Sequence, residues 1–314
     1  MKKGNYLAEA PPEKLAALKP VCALLGLEWN RVKNARQFHE DGGGADRAYS
    51  VYRVEYDGRE YVLKQSVPAE AELYHTYLER EAFPVPRLYA AAQRGKSCWL
   101  LLEHIPGGDL RDFTPELAEK AAESLSALHN AYWWGKPENG KENSGERFVR
   151  YWERITRRAK CLVRYPALRE AYEVFLQRQK TCPLTLCNGD FLQYNALFDG
   201  ERVVLIDWAF GGEMPYSLDL ARLIAHGSEK REAFPFFMTE ELRRKFLQAY
   251  YRRMKEPPDY ADFLWDTVLS ALNEYIEFLE EDFLKQEEEP DPFYLRRAEE
   301  TAAVIRRGKQ AFLP

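Results

Sequence analysis

The chain has 314 residues, 46% of them apolar and 30% charged, with a net charge of −5. That length supports two lobes with cores of their own, and that composition is ordinary for a soluble globular protein. The charge leaves no basic footprint for nucleic acid, and no apolar run approaches the roughly eighteen residues of a membrane span. Met1-Lys-Lys-Gly-Asn-Tyr6 has two lysines with no apolar stretch behind them, so it does not read as a secretory signal. Five scattered cysteines and five single histidines argue against a disulfide framework or a structural zinc site, and a reducing cytoplasm fits best.

Residues 12–25 read as helix, with Pro12 in the first turn, Leu15 and Leu18 on one face, and Pro20 starting a second short helix through Leu25. The period then changes. Tyr49–Tyr56, the turn Asp57-Gly58 and Tyr61–Lys64 predict a hairpin. Ala69–Leu78 reads as a helix ended by Phe83-Pro-Val-Pro86, and Leu88–Ala92 and Cys98–Glu103 read as strands. Pro106-Gly107-Gly108 marks a joint. Beyond it Thr114 is an N-cap, with Pro115 at the first helical position and Leu117, Ala121, Leu125 and Leu128 following at helical spacing. Gly135–Arg147 reads as an exposed loop, and Phe148–Arg178, Thr239–Lys255, Tyr260–Glu281 and Pro292–Phe312 read as amphipathic helices. The expected organisation is an α+β chain. A small antiparallel-sheet lobe with one main helix spans residues 1–103, a joint spans 104–108, and a large helical lobe spans 109–314.

The first lobe suits a nucleotide. The glycines of Asp41-Gly42-Gly43-Gly44-Ala45-Asp46 let backbone amides approach phosphate, or form a bare loop. Lys64, at the end of an apolar strand, is placed to neutralise triphosphate oxygens, or simply faces solvent. A carboxylate must hold such a lysine. Glu70 and Glu72 lie on different helix faces, so only one can serve, and Glu72 is slightly preferred. At the joint, the Glu103 carbonyl and the Ile105 amide are candidates to bond a purine, and His104 reads as an exposed residue.

The chemistry concentrates in Leu186–Trp208. Asn195–Phe198 and Val203–Ile206 are short apolar runs around Asp199-Gly200, so a hairpin centred near Glu201 is expected to set Asn195 opposite Asp207, with Asp190 at its mouth. One acid to take a proton and two oxygen ligands for magnesium make the inventory of phosphoryl transfer. The plainer reading is turn chemistry, but an acid ending a strand buried on both faces asks for a reason.

These residues resemble a known family. Asn188-Gly-Asp190-x-x-x-x-Asn195 is similar to the H-G-D-x-x-x-x-N loop of the aminoglycoside phosphotransferase and choline kinase superfamily. Ile206-Asp207-Trp208 resembles its I-D-W/F element, Pro215–Ala221 its P-x-x-x-D-L-A segment and Leu125–His129 its L-A-x-L-H helix. The resemblance implies a protein-kinase-like bilobal fold and ATP- and Mg2+-dependent phosphorylation of a small-molecule hydroxyl. It implies Asp190 as proton acceptor, Asn195 and Asp207 as magnesium ligands, Lys64 on the α/β-phosphates, and Asp219 as a brace for the catalytic loop. Asn188 departs from the family's histidine; it keeps a donor and an acceptor but cannot titrate. That departure leaves a second expectation, a nucleotide-binding regulator without turnover.

For the acceptor, nine acids and one lysine between Glu274 and Asp291 form either a wall that attracts a cation, such as an amino sugar or amino alcohol, or a solvated helix face. Trp133, Trp134, Tyr151, Trp152 and Trp265 form either a cation-binding cage or core.

Overall fold

The computed structural model describes residues 5–41, 46–79, 83–137, 141–230, 236–285 and 289–312. Six strands form one antiparallel sheet: β1 (Asn5–Glu9), β2 (Val32–Asp41), β3 (Asp46–Tyr56), β4 (Arg59–Ser66), β5 (Leu88–Arg94) and β6 (Ser97–Glu103), in the order β1-β2-β3-β4-β6-β5. The β3–β4 turn is fixed by two positive φ angles, 51° at Asp57 and 75° at Gly58, which match the twist of the strands it joins. β6 explains its own sequence. Trp99 and Leu101 pack with α1 (Pro12–Leu24), and Cys98, Leu100 and Leu102 pack on the opposite side with α2 (Pro68–Leu73). A strand covered on both faces is apolar throughout.

The sequence reading missed β1. As an edge strand with Tyr6 exposed, it lacks the apolar alternation of a half-buried strand. Pro20 does not open a second helix but lies inside α1. α2 runs on through a π-helical turn, Tyr74–Leu78.

After the sheet come β7 (Gly108–Asp109) and α3 (Pro115–Ala131), whose N-cap Thr114 accepts from Leu117 N–H at 3.2 Å. The predicted helix over Phe148–Arg178 is two, α4 (Glu146–Arg158) and α5 (Pro166–Gln179), broken because a proline pushes its predecessor Tyr165 out of helical geometry. Then follow β8 (Leu184–Cys187), β9 (Ala196–Phe198), β10 (Val203–Leu205), β11 (Gly212–Pro215), α6 (Ser217–Ala225), β12 (Gly227–Ser228), β13 (Phe236–Phe237), α7 (Glu240–Arg253), α8 (Tyr260–Lys285) and α9 (Pro292–Arg307). β9 pairs with β10 and with β7, and β8 pairs with β11. α4, α5, α8 and α9 close one apolar core. Another runs from β6 and α2 into α3 and α7. No helix among the described residues is long and apolar enough to cross a membrane.

The joint is tight. A Cβ added at Gly107 would lie 2.1 Å from the carbonyl oxygen of Phe198. Gly107→Ala is therefore expected to displace the β7–β9 pairing and cost about 2 kcal/mol or more. The check is a lowered urea midpoint at unchanged slope.

Candidate active site

The β9–β10 hairpin is set by a turn in which Asp199 Oδ1 accepts from the Glu201 and Arg202 amides, both at 2.9 Å. Its register pairs Ala196 with Leu205, and Ile206 N–H donates to Asn195 O at 2.9 Å. Ile206, rather than Asp207, thus lies opposite Asn195; the register differs from expectation by one residue. Asp207 still turns toward the site, because its backbone is left-handed, with φ 58°. Asn195 Nδ2 donates to Asp190 Oδ2 and to Asp190 O, each at 2.8 Å. With Nδ2 committed, Oδ1 is the end of the amide left for a cation. Asp207 is 40% exposed, and among the described residues only its Oδ1 is engaged.

Lys64 reaches Asp207 from β4. Its Nζ donates to Asp207 Oδ1 at 2.8 Å and to Glu70 Oε1 and Oε2 at 2.8 and 2.7 Å. The partner is Glu70, which corrects the preference for Glu72. Glu70 shares a face with the buried Tyr74 and Leu78, whereas Glu72 is exposed. Glu70 is fully buried and answered by four hydrogen bonds: two from Lys64, one from the hydroxyl of Ser66, and one from Trp208 N–H at 3.0 Å. Burial works against the charge on Lys64, but the Glu70 and Asp207 carboxylates outweigh it and hold the ammonium above its ordinary value.

The loop before Asp190 is braced by Asp219 on α6, whose carboxylate accepts from Asn188 N–H at 2.7 Å and Gly189 N–H at 2.9 Å. His129 of α3 lies 3.4 Å from the same carboxylate, with its other nitrogen 2.7 Å from Tyr250 Oη. Asn188 uses both ends of its amide: Nδ2 donates to Ile206 O and Asp207 O, and Oδ1 accepts from Asp190 N–H at 3.2 Å. It thereby joins the Asp190 loop to the Asp207 turn without a titratable ring. Gly189, at φ 79°, allows a close approach: a Cβ there would lie 2.4 Å from Phe210 O.

Sequence reasoning missed Arg222. Its Nε and Nη2 donate to Asp190 Oδ1 at 2.9 and 2.6 Å, and its Nη1 donates to Glu274 Oε2 at 2.6 Å. The clue was present: α6 is otherwise nearly all apolar and buried, and an arginine in such a helix requires a partner. Burial raises the Asp190 carboxyl above its ordinary value, with Arg222 opposing it in part. Burial also opposes the charge on Glu274, but Arg222 and His226 win and hold it down at about 2. Farther along α8, Arg158 binds Glu277 at 2.8 Å and Glu280 at 3.1 Å. The acidic wall expected there is thus partly neutralised from within the fold.

Glu103 closes β6, with its side chain accepting from Arg87 N–H at 3.1 Å. Ile105 N–H has no protein acceptor among the described residues. His104 is not an exposed joint residue; only 16% exposed, it pairs with Glu60 at 3.0 Å. Gly43 and Gly44 lie outside the described residues. The five candidate cage aromatics do not converge. Trp133 packs on Tyr216, Trp134 on Tyr77 and Tyr132, Trp152 on Phe148, and Tyr151 and Trp265 are core.

A family model described as the phosphotransferase enzyme family matches residues 39–263. A comparison with curated protein sequences finds no match. Among solved structures, an amicoumacin kinase in complex with AMP-PNP, Ca2+ and Ami is 12% identical, over 97% of this chain and 93% of that one, with a TM-score of 0.60. An ethanolamine kinase of Plasmodium vivax is 14% identical, over 96% and 91%, with a TM-score of 0.57. A thermostable mutant of aminoglycoside phosphotransferase APH(4)-Ia, in a ternary complex with ADP and hygromycin B, is 13% identical, over 93% and 99%, with a TM-score of 0.55. At these identities the likeness is one of fold, a protein-kinase-like bilobal α+β architecture.

Two outcomes are expected of the buried charges. Glu70→Ala leaves Lys64 without its principal counter-charge and should cost about 3–5 kcal/mol in chemical unfolding, whereas Glu72→Ala should stay within about 0.5 kcal/mol. Because the Glu274 carboxyl is depressed in the folded state, its contribution to stability is complete above about 4.5 and is lost as pH falls toward about 2. Acid titration of unfolding free energy should show a shallower fall over that window in Glu274→Gln than in wild type.

Proposed function

This chain belongs to the phosphotransferase enzyme family, and we propose that it transfers the terminal phosphoryl group of ATP, with magnesium, to a hydroxyl of a small molecule. The observation that carries the reading is the meeting of Asp190, Asn195, Asp207 and Lys64, drawn from the strand that ends near 64, the 190–195 loop and the turn at 207. In this reading the small lobe is residues 1–103, the hinge is 104–108 and the helical lobe is 109–314. The purine takes the Ile105 amide and the Glu103 carbonyl, and Lys64 neutralises the α/β-phosphates. The donor set suits a hard divalent ion: one amide oxygen, Asn195 Oδ1, and one carboxylate, Asp207, with no soft ligand. Magnesium, when bound, screens the charge on the phosphate oxygens.

Asp190 accepts the proton of the attacking hydroxyl as its oxygen bonds to phosphorus and the bond to the leaving ADP breaks. Arg222 and Asn195 orient the carboxylate, and Asp219 and Asn188 fix the loop that carries it. In such a loose transition state the bonds to the entering and leaving oxygens are both weak, so positioning and charge do most of the work.

The wall behind Asp190 carries the carboxylates of Asp190, Glu274, Glu277 and Glu280 against the guanidiniums of Arg158 and Arg222. That surplus of negative charge supports a cationic acceptor such as an amino sugar or amino alcohol. The alternative of a regulator without turnover rested on Asn188 and on the atypical glycine loop at 41–46; the bonds of Asn188 to both the Asp190 loop and the Asp207 turn weigh against the first of these.

The test is a magnesium–ATP acceptor panel of aminoglycosides, choline, ethanolamine, amino acids and sugars, read by mass spectrometry of the products. A phosphorylated product is expected, with turnover falling about 10²–10⁴-fold in Asp190→Ala. Tight binding of ATP with no acceptor phosphorylated would instead favour the regulator. Turnover of neutral sugars alone would rule out the cationic acceptor.

A further inference from the structure

α4 carries Arg150 and Arg154 one helical turn apart, so both project from the same side of the helix. Both line a cavity of about 190 Å³, together with Tyr151, Ala69, Phe210 and Met214. Neither is used by the site described above. Arg158, on the same helix, is spent on Glu277 and Glu280, but Arg154 has no carboxylate within 4.0 Å among the described residues. Its Nε is buried and has no acceptor. Its guanidinium lies 5.9 Å from the centre of the Tyr151 ring. Arg150 has only a loose pair with Glu146 at 3.8 Å, in which both side chains are exposed.

A buried guanidinium donor left unpaired costs free energy, and an adjoining cavity is where its partner would sit. Two planar forks beside an apolar floor match an oxyanion on an apolar body rather than a cation or a neutral sugar. We infer that the cavity between α4 and the 209–214 segment binds a carboxylate or phosphate group, held by Arg150 and Arg154. The group is either a free anion or the anionic end of an acceptor whose hydroxyl reaches Asp190 and which carries any cationic group elsewhere, as an amino acid does; the second case rests on the function proposed above, the first does not.

The surroundings give such binding a consequence. Ala69 adjoins Glu70, and a Cβ at Gly211 would lie 2.6 Å from Leu73 of α2. Phe210 O lies against Gly189, the neighbour of Asp190. An anion here joins α4 to α2 and to the segment that follows Asp207, and so braces the elements that hold Lys64 in place.

The first arm uses no nucleotide: inorganic phosphate, then acetate, titrated calorimetrically into wild type, Arg154→Gln and Arg150→Gln at ionic strength matched with chloride. Binding by wild type that weakens about tenfold or more in both variants supports the site, since each substitution removes a charge-assisted pair. Equal affinity in all three places the anion elsewhere and overturns it. Arg150 is 57% exposed, so Arg150→Gln tests the site without disturbing a core. The second arm measures KM for acceptors with and without an anionic group. A rise of about tenfold in Arg150→Gln confined to anionic acceptors identifies the acceptor's own end as the ligand. If wild type binds neither phosphate nor acetate and no acceptor distinguishes it from Arg150→Gln, the inference fails, whatever the chain phosphorylates.

Discussion

One ammonium group holds the two halves of this molecule in register. Lys64, on the fourth strand of the sheet, is shared between Glu70 on the helix that follows and Asp207, 143 residues along the chain. Glu70 lies wholly inside the protein, where an unmatched carboxylate would be expensive. Its oxygens are met by Lys64, Ser66 and the amide of Trp208, so the residue after Asp207 is fixed by the same carboxylate that fixes Lys64. The placement of the two acidic residues is therefore a single constraint. It ties a helix packed under the sheet to a turn at the end of a hairpin in the other lobe.

A second constraint works from below. α6 presents Asp219 to two successive amides of the Asp190 loop, and one turn later presents Arg222 to the Asp190 carboxylate. Spacing of three along a helix places both on one side, so one rigid element sets the backbone and the side chain of the same residue. Arg222 is held in turn by Glu274 and Glu277, and Arg158 continues the alternation of charge along α8. Arg158, Arg222 and Glu274 thus each have an opposite charge within reach, the condition for keeping such groups dry.

Much of this was legible in the sequence. Short-range patterns carried it: Asp57-Gly58 and Asp199-Gly200 named their turns, Thr114 its cap, and the Asp190–Asn195 spacing the loop. Long-range choices were harder. Whether Glu70 or Glu72 faces Lys64 depends on which side of a short helix is buried, and reading Tyr74 and Leu78 as its apolar stripe would have decided it. The hairpin register missed by one because turn residues do not say which side of the loop carries the extra residue. Arg222 was passed over because its partners come from the loop at 190 and from α8, and no local pattern joins them. The aromatics failed as a cage for the same reason: their spacing is that of several separate packing contacts.

The apolar core that begins at Leu100 and Leu102 under the sheet continues without a gap to Leu125 on α3 and Phe246 on α7. Lobes that share one interior cannot part like the leaves of a book. Any opening and closing of the cleft has to be a small slide of packed surfaces, with side chains keeping their neighbours throughout. Cutting the backbone at the joint would accordingly leave two fragments each missing part of its own interior, and neither would be expected to stand alone.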